Sequence, residues 1–220
     1  MDIRLNVGDF AEITPDKQYD LIITNPPYTR HHLIEKEQKE RMAIKINNEL
    51  GIKINGLSGL HCYFVLLADK WLKKNGIAIW LLPTEFLDIN YGKQIKEYLL
   101  NNVQLLKVHI FDTNSNSLFN NATVSSCVIV YKKSKPNEKQ DVVFTFGDSM
   151  SMPEKQIMLS HDILSNTSKW LKLISNSVVN TEREINSHCL SDYFSIKRGI
   201  ATGCNKYFIL SKSEIEEKGL

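Results

Sequence analysis

The chain has 220 residues, of which 42% are hydrophobic and 24% are charged, and its formal net charge is +2. These values are typical of a globular protein and exclude a disordered chain, and the charge is too small to indicate nucleic-acid binding by itself. No apolar run is long enough to span a membrane, and the first residues are not typical of a signal peptide. The four cysteines form no Cys-x-x-Cys pair and the six histidines show no metal-ligand spacing, which favours reduced thiols in a cytosolic protein and no metal site.

The first half of the chain alternates between predicted strands and helices. Apolar runs predict strands, and apolar residues at helical spacing predict helices, one of them ended by Asn75-Gly76. We expect strands over residues 3–7, 19–24 and 77–82 and helices over 35–50, 60–74 and 91–100.

The second half begins with strands that have no helix between them. Residues 104–111 and 123–132 should therefore pair antiparallel, and residues 141–146 can add one more strand. Strands that alternate with helices and end in a hairpin indicate an α/β domain with a mixed sheet. A short helix is expected near 169–174, and a new domain is expected to begin at residue 190.

The most informative segment is the apolar run that ends in Asn25-Pro26-Pro27-Tyr28. It predicts a buried parallel strand that opens into a stiff loop, because each proline fixes its own φ and keeps the preceding residue extended. The Asn25 amide and the Pro26 carbonyl can then point the same way, with the Tyr28 ring beside them. Two adjacent acceptors and a ring suit a flat molecule that carries an exocyclic amino group.

This tetrapeptide, together with Asp20-Leu21-Ile22 before it and Gly8-Asp9-Phe10 upstream, resembles the amino-group DNA methyltransferases. It is most similar to the gamma class of N6-adenine methyltransferases from bacterial restriction–modification systems. The resemblance covers most of the chain and also includes residues 60–83, 118–119, 124–132 and 198–205.

The resemblance implies part of a Rossmann-like methyltransferase fold that uses S-adenosylmethionine. Residues 1–148 would be a partial catalytic domain, residues 149–189 a connecting segment, and residues 190–220 the beginning of a target-recognition domain. The implied partners are double-stranded DNA and a restriction endonuclease, either fused or separate, in the bacterial cytoplasm and without a membrane.

The resemblance also implies roles for the motif residues. Asn25 and Pro26 would accept hydrogen bonds from N6 of a flipped-out adenine, Tyr28 would stack on the base, and Phe119 would form a second wall. On the cofactor side, Asp9 would bind the amino group of the cofactor adenine. The apolar walls around that ring would be Phe10, Pro27 and Phe64.

Two features of the family are missing from the sequence. The Phe-x-Gly-x-Gly loop that holds the methionine part of the cofactor should precede Asp9, and so should the acidic residue that binds the ribose. In the family's sheet the strands that carry them lie between those equivalent to residues 3–7 and 19–24, and without them the sheet would have a gap and exposed apolar edges. We therefore expect a fragment of a larger methyltransferase, inactive alone, that binds S-adenosylmethionine weakly or not at all.

Other interpretations remain open. Asn25 to Tyr28 can be an ordinary tight loop, Asp9 can cap a helix, and Phe64 and Phe119 can be core residues. Methyltransferases that act on protein glutamine or on RNA guanine also use an Asn-Pro-Pro-Tyr motif. A catalytically incompetent DNA-binding fragment is a third alternative.

Overall fold

The structure, a computed structural model, describes residues 5, 7–111, 125–173, 190–195, 199, 207 and 209–219. It divides into two compact units, Met1–Asn180 and Thr181–Leu220. Several sequence predictions lie outside the described residues: most of the strand over 3–7, Phe119 with its loop, and the matching positions 198 and 202–205.

The first unit is built on a six-stranded mixed sheet. Its order across the sheet is β1-β2-β4-β3-β5-β6, where β1 and β2 are parallel, β3 and β5 are parallel, and the other neighbours are antiparallel. The predicted α/β fold and its antiparallel hairpin, β3–β4, are confirmed. The strands are β1 (Tyr19–Thr24), β2 (Leu72–Pro83), β3 (Gln104–Ile110), β4 (Ser126–Lys132), β5 (Val142–Phe146) and β6 (Lys155–Leu159).

Helices supply most of the remaining core. Tyr63 and Tyr98 are completely buried, and Met42 and Ile46 are 1% exposed, so three helices contribute large side chains to one core. Gly51 ends the first helix with φ of 68°, a left-handed conformation that glycine adopts without strain. The helices are α1 (Lys36–Leu50), α2 (Leu60–Leu67), α3 (Lys93–Asn101) and α4 (His161–Ser165), and residues 170–173 form a further helical turn.

The predicted helix over 60–74 is too long. It ends at Leu67, a 3₁₀ turn follows over Ala68–Trp71, and β2 begins at Leu72. Asn75 and Gly76 therefore lie in a strand and do not cap a helix. Sheet pairing explains the difference, because the Asn75 N–H donates to the Lys133 carbonyl (2.8 Å) and the Lys133 N–H donates to the Gly76 carbonyl (2.9 Å).

Strand β1 is not buried, contrary to the sequence prediction. Leu21 is 51% exposed and Ile23 is 69% exposed, and among the described residues β1 pairs only with β2. A parallel strand is buried when layers cover both faces of its sheet, whereas β1 lies at the end of this one. The exposed apolar edge expected from the sequence is thus present.

Strand β6 and helix α4 lie within the segment that we predict to connect two domains, and β6 pairs with β5. In the second unit, the described elements include helices at Leu190–Tyr193 and Lys212–Lys218. The latter begins with a capping box between Ser211 and Glu214. No helix among the described residues has the length and apolar character needed to cross a bilayer.

Candidate functional site

The loop after β1 presents Asn25 at the protein surface. Pro26 is buried, whereas Asn25 and Pro27 are exposed, so the chain is anchored at the first proline and its amide is open to a ligand. Asn25 lies at the carboxyl end of β1, and β1 and β2 are parallel. Ligands of α/β sheets bind beyond this end of the strands.

Asn25 borders a shallow apolar depression of about 430 Å³ on one face of the sheet. Ile23 of β1 pairs with Ile79 of β2, and Leu81 of β2 pairs with Val128 of β4, so the apolar floor crosses three strands. The other residues that border the depression are Thr24 and Phe111. A flat apolar group can lie on this floor with its polar edge toward Asn25.

The Tyr28 ring is fixed from two directions. Its hydroxyl donates to the carbonyl oxygen of Leu81 (3.0 Å), and its ring meets the His61 ring edge-on, with centroids 6.2 Å apart and planes at 86°. Burial, with a smaller contribution from Cys127, raises the pKa of Tyr28 to about 12, so the hydroxyl remains protonated. Leu81 of β2 thus borders the Asn25 depression and also accepts from Tyr28, although Tyr28 itself does not border that depression.

A second cavity, of about 330 Å³, lies beside Tyr28. His61 on α2 is its most deeply buried titratable side chain, at 5% exposure, and both its ring nitrogens lack a hydrogen-bond partner among the described residues. Burial lowers the pKa of His61 to about 4, so the imidazole is neutral at pH 7. The cavity is lined by Tyr28, Thr29, Arg30, His31, His32, Leu57, Gly59, His61, Pro83, Glu85 and Tyr91.

Asp9 has a structural role that the sequence left open. One carboxylate oxygen accepts from the Ala11 N–H (2.9 Å), and its backbone carbonyl accepts from Glu12 and Ile13. Asp9 therefore caps a turn. The second oxygen is 3.5 Å from the Gln38 amide nitrogen, and a carboxylate with about four acceptor positions keeps capacity for a further donor.

Phe10 and Phe64, two of the predicted cofactor walls, contact one another. Their ring centroids are 5.0 Å apart, and Phe10 also stacks on Trp71 at 5.4 Å. An aromatic ring held between two others needs roughly 7 Å between them, two stacking distances, so a purine fits against this cluster and not inside it. Pro27 is exposed and borders neither the Asn25 depression nor the cavity beside Tyr28.

Sequence reasoning missed Leu81 and His61. Leu81 acts through its backbone carbonyl, which leaves no mark on residue type. A single histidine in an apolar helix is most often a core residue, so only its position beside Tyr28 distinguishes His61.

Comparison with known proteins identifies the family of this chain. Residues 5–119, just over half of the chain, match the model of the family described as Eco57I restriction-modification methylase. The chain is similar to the type II methyltransferase M.AccI of Acinetobacter calcoaceticus, with 28% identity over 98% of this chain and 41% of that protein. It is also similar to M.XamI of Xanthomonas campestris pv. amaranthicola, with 26% identity over 92% of this chain and 38% of that protein.

The fusion protein RM.Eco57I of Escherichia coli, a type II restriction enzyme and methyltransferase, is 26% identical over 94% of this chain and 21% of its own length. Among solved structures, the type IIG restriction endonuclease BpuSI shares the fold, with a TM-score of 0.62 and 19% identity over 78% of this chain and 23% of that chain. The chain thus spans about two fifths of M.AccI and M.XamI, and a smaller part of the larger proteins. The chain belongs to the Eco57I restriction-modification methylase family, whose methyl donor is S-adenosylmethionine.

Proposed function

We propose that this chain provides the base-binding part of an enzyme that methylates N6 of an adenine flipped out of double-stranded DNA. The observation that carries the proposal concerns Leu81. This residue borders the depression beside the exposed Asn25, and its carbonyl accepts the hydrogen bond that fixes Tyr28. A restriction endonuclease, fused or separate, is the partner expected of such an enzyme. RM.Eco57I, which is both a restriction enzyme and a methyltransferase, supports that expectation.

Asn25 and Pro26 would act on the nucleophile. The N6 lone pair of adenine is delocalised into the ring, and two acceptors that bind the N6 hydrogens favour a pyramidal nitrogen with a localised lone pair. S-adenosylmethionine would supply an electrophilic methyl group to this nitrogen. The C–N bond would form as the C–S bond broke, with the electron pair left on sulfur and the N6 proton released to water. Acceptors fixed by a proline-stiffened loop need no reorganisation as charge develops.

Tyr28 would stack on the flipped base. Its hydroxyl bond to Leu81 limits rotation of the ring, so the stacking surface exists before DNA binds. Stacking on an aromatic side chain contributes roughly 1–3 kcal/mol per base. Phe119, the proposed second wall, stays a prediction because it lies outside the described residues.

For the cofactor side, our proposal remains that the cofactor adenine is bound by Asp9, Phe10, Pro27 and Phe64. The spare acceptor capacity of Asp9 suits an adenine amino group, and the contact between Phe10 and Phe64 directs the purine to the outside of the cluster. The turn-capping role of Asp9 is compatible with this proposal, since capping uses the other carboxylate oxygen.

We also propose that the 220 residues alone do not complete methyl transfer. The open edge of β1 leaves the strand that carries Asn25 paired on one side only, among the described residues. Of the alternatives given above, a catalytically incompetent DNA-binding fragment therefore describes the isolated chain best.

The test uses the polypeptide that contains this chain, S-adenosylmethionine labelled in its methyl group, and unmethylated DNA. Mass spectrometry of the digested DNA should find N6-methyladenine. Asn25→Ala should abolish the product and retain cofactor binding, whereas Asn101→Ala, which removes an exposed amide at the end of α3, should change neither. Label in cytosine, in protein glutamine or in RNA guanine would overturn the adenine assignment. Methylated product from the 220 residues alone would overturn the proposal that they do not complete methyl transfer.

A further inference from the structure

His61 is buried without a partner at a place where the proposed mechanism gives it no role. Its side chain is 95% inaccessible, and neither ring nitrogen has a hydrogen-bond partner among the described residues. Buried polar groups in native proteins are almost always paired, and exceptions call for a functional explanation. His61 also lines the cavity beside Tyr28, a space that a ligand can enter.

Two local features position this imidazole. The Leu60 N–H donates to the Thr29 carbonyl (2.9 Å), which joins the start of α2 to the loop that follows Tyr28. Gly59 leaves room for the ring, because a Cβ at that position would lie 2.8 Å from His61 Cε1 and 3.0 Å from Nδ1. The edge-on contact with Tyr28 completes the arrangement.

The cavity suits an uncharged heterocycle. A neutral imidazole offers one N–H donor and one acceptor nitrogen, which match a base edge that carries an acceptor and a donor. Tyr28 and Tyr91 provide aromatic surface, and the Glu85 carboxylate and the Arg30 guanidinium place one charge of each sign in the same lining, so the cavity selects neither an anion nor a cation. Burial keeps His61 neutral at pH 7, since it lowers the pKa to about 4.

We propose that the cavity beside Tyr28 is a nucleobase subsite in which His61 hydrogen-bonds the edge of a DNA base. This inference rests on the proposed function, because it requires DNA at the Asn25–Tyr28 loop. Two bases share the required chemistry: the flipped adenine itself and the base that adjoins it on the same strand. In either case, His61 is a specificity-determining residue that the motif does not reveal.

The test is nuclear magnetic resonance on the full chain with ¹⁵N-labelled histidine, titrated with the single-stranded pentamer dTTATT. We expect the ¹⁵N resonances of the His61 ring to shift as a hydrogen bond forms. His109 provides an internal control, because it is fully buried and has an unpartnered Nε2, yet it does not line this cavity. Replacing the central adenine by an abasic site separates the two sources: the His61 shift disappears if the flipped adenine is bound and persists if the adjoining base is bound.

Matched variants extend the test. His61→Leu should weaken pentamer binding about fivefold, the value of one neutral hydrogen bond, whereas His32→Leu, an exposed residue of the same lining, should not. Gly59→Ala should weaken binding as His61→Leu does, because the new Cβ displaces the imidazole.

Several outcomes would overturn the inference. If the Tyr28 ring resonances respond to the pentamer and the His61 nitrogens do not, the subsite is wrong and the proposed function stands. If neither residue responds, this chain does not bind DNA at the Asn25–Tyr28 loop, and the subsite is wrong. If a fully abasic pentamer shifts the ¹⁵N resonances of His61 equally, the cavity recognises the sugar-phosphate backbone of DNA and not a base.

Discussion

The hydroxyl of Tyr28 donates to the main-chain carbonyl of Leu81 over 3.0 Å, across 53 residues of sequence. This bond joins the loop after β1 to the adjacent strand β2 and fixes the tyrosine ring against that strand. It also explains why a tyrosine serves better here than a phenylalanine, which has the same ring but no hydroxyl.

The two functions of Tyr28, stacking and anchoring, can be separated by substitution. Tyr28→Phe retains the stacking ring, so we expect DNA affinity to fall by no more than about tenfold, the value of one hydrogen bond. Tyr28→Ala removes the ring and should cost roughly 1–3 kcal/mol of binding free energy. Fluorescence anisotropy with single-stranded oligonucleotides measures both, and equal losses would show that the ring itself does not contact the base.

The buried His61 should make stability depend on pH. Its pKa is about 4 in the folded chain and about 6.5 when unfolded, so protonation favours unfolding and stability is lost as pH falls from 6.5 toward 4. Between pH 7 and pH 4.5 we expect a loss of about 2 kcal/mol from this residue. Urea denaturation at several pH values measures it.

The control for this pH dependence is a pair of variants. His61→Leu should flatten the slope over this range, whereas the exposed His32→Leu should keep the slope of the parent chain. A His61→Leu chain with an unchanged slope would place the titrating group elsewhere.

Lys96 attaches the segment after β6 to helix α3. Its ammonium donates to the Leu87 carbonyl (2.9 Å) and to the Ser168 carbonyl, and it lies 5.9 Å from the centroid of the Trp170 ring. Lys96→Met leaves these two carbonyls without their donor, so we expect a loss of roughly 1–3 kcal/mol in the free energy of unfolding. Cleavage by protease near residues 165–170 should accelerate.

Lys93 is the matched control for Lys96. It lies on the same helix, with a 70% exposed side chain, and pairs with Glu97 at 3.7 Å. An exposed pair of this kind contributes about 0.5 kcal/mol, so Lys93→Met should leave unfolding and cleavage nearly unchanged. Similar effects of the two substitutions would contradict the attachment.

The buried thiols predict a chemical signature. Cys62 is 1% exposed and Cys127 is completely buried, and burial raises the pKa of both thiols, that of Cys62 to about 12. Because the thiolate is the reactive form, both should resist iodoacetamide at pH 8 in the folded chain and react within minutes in urea. Peptide mass spectrometry identifies each site, and rapid native alkylation of Cys127 would contradict its burial in β4.

Much of the fold could be predicted from the sequence because its pattern is local. Helix α1 and strands β3 and β5 begin and end within two residues of their predicted positions, since apolar periodicity and Gly51 mark them. Residues 72–74 could not be assigned correctly, because their strand conformation depends on pairing with residues far away in the chain, such as that of Leu72 with Tyr19.

The burial of residues and their tertiary contacts were harder to predict than secondary structure. The apolar sequence of β1 is that of an interior strand, and only its place at the end of the sheet exposes Ile23. For the site, the motif indicated Asn25 and Tyr28, while the Phe10–Phe64 contact and the isolation of His61 are tertiary facts. No residue pattern encodes such contacts.

The position of β1 has a dynamic consequence. Strand β2 is bonded on both sides, whereas β1 has a ladder on one side only among the described residues. Amide hydrogens of β1 should therefore exchange with solvent sooner than those of Ile79 and Leu81, and fraying of that single ladder would carry Asn25 away from its neighbours. A strand that pairs with the edge of β1 left open among the described residues would hold Asn25 in the position that the proposed methyl transfer requires.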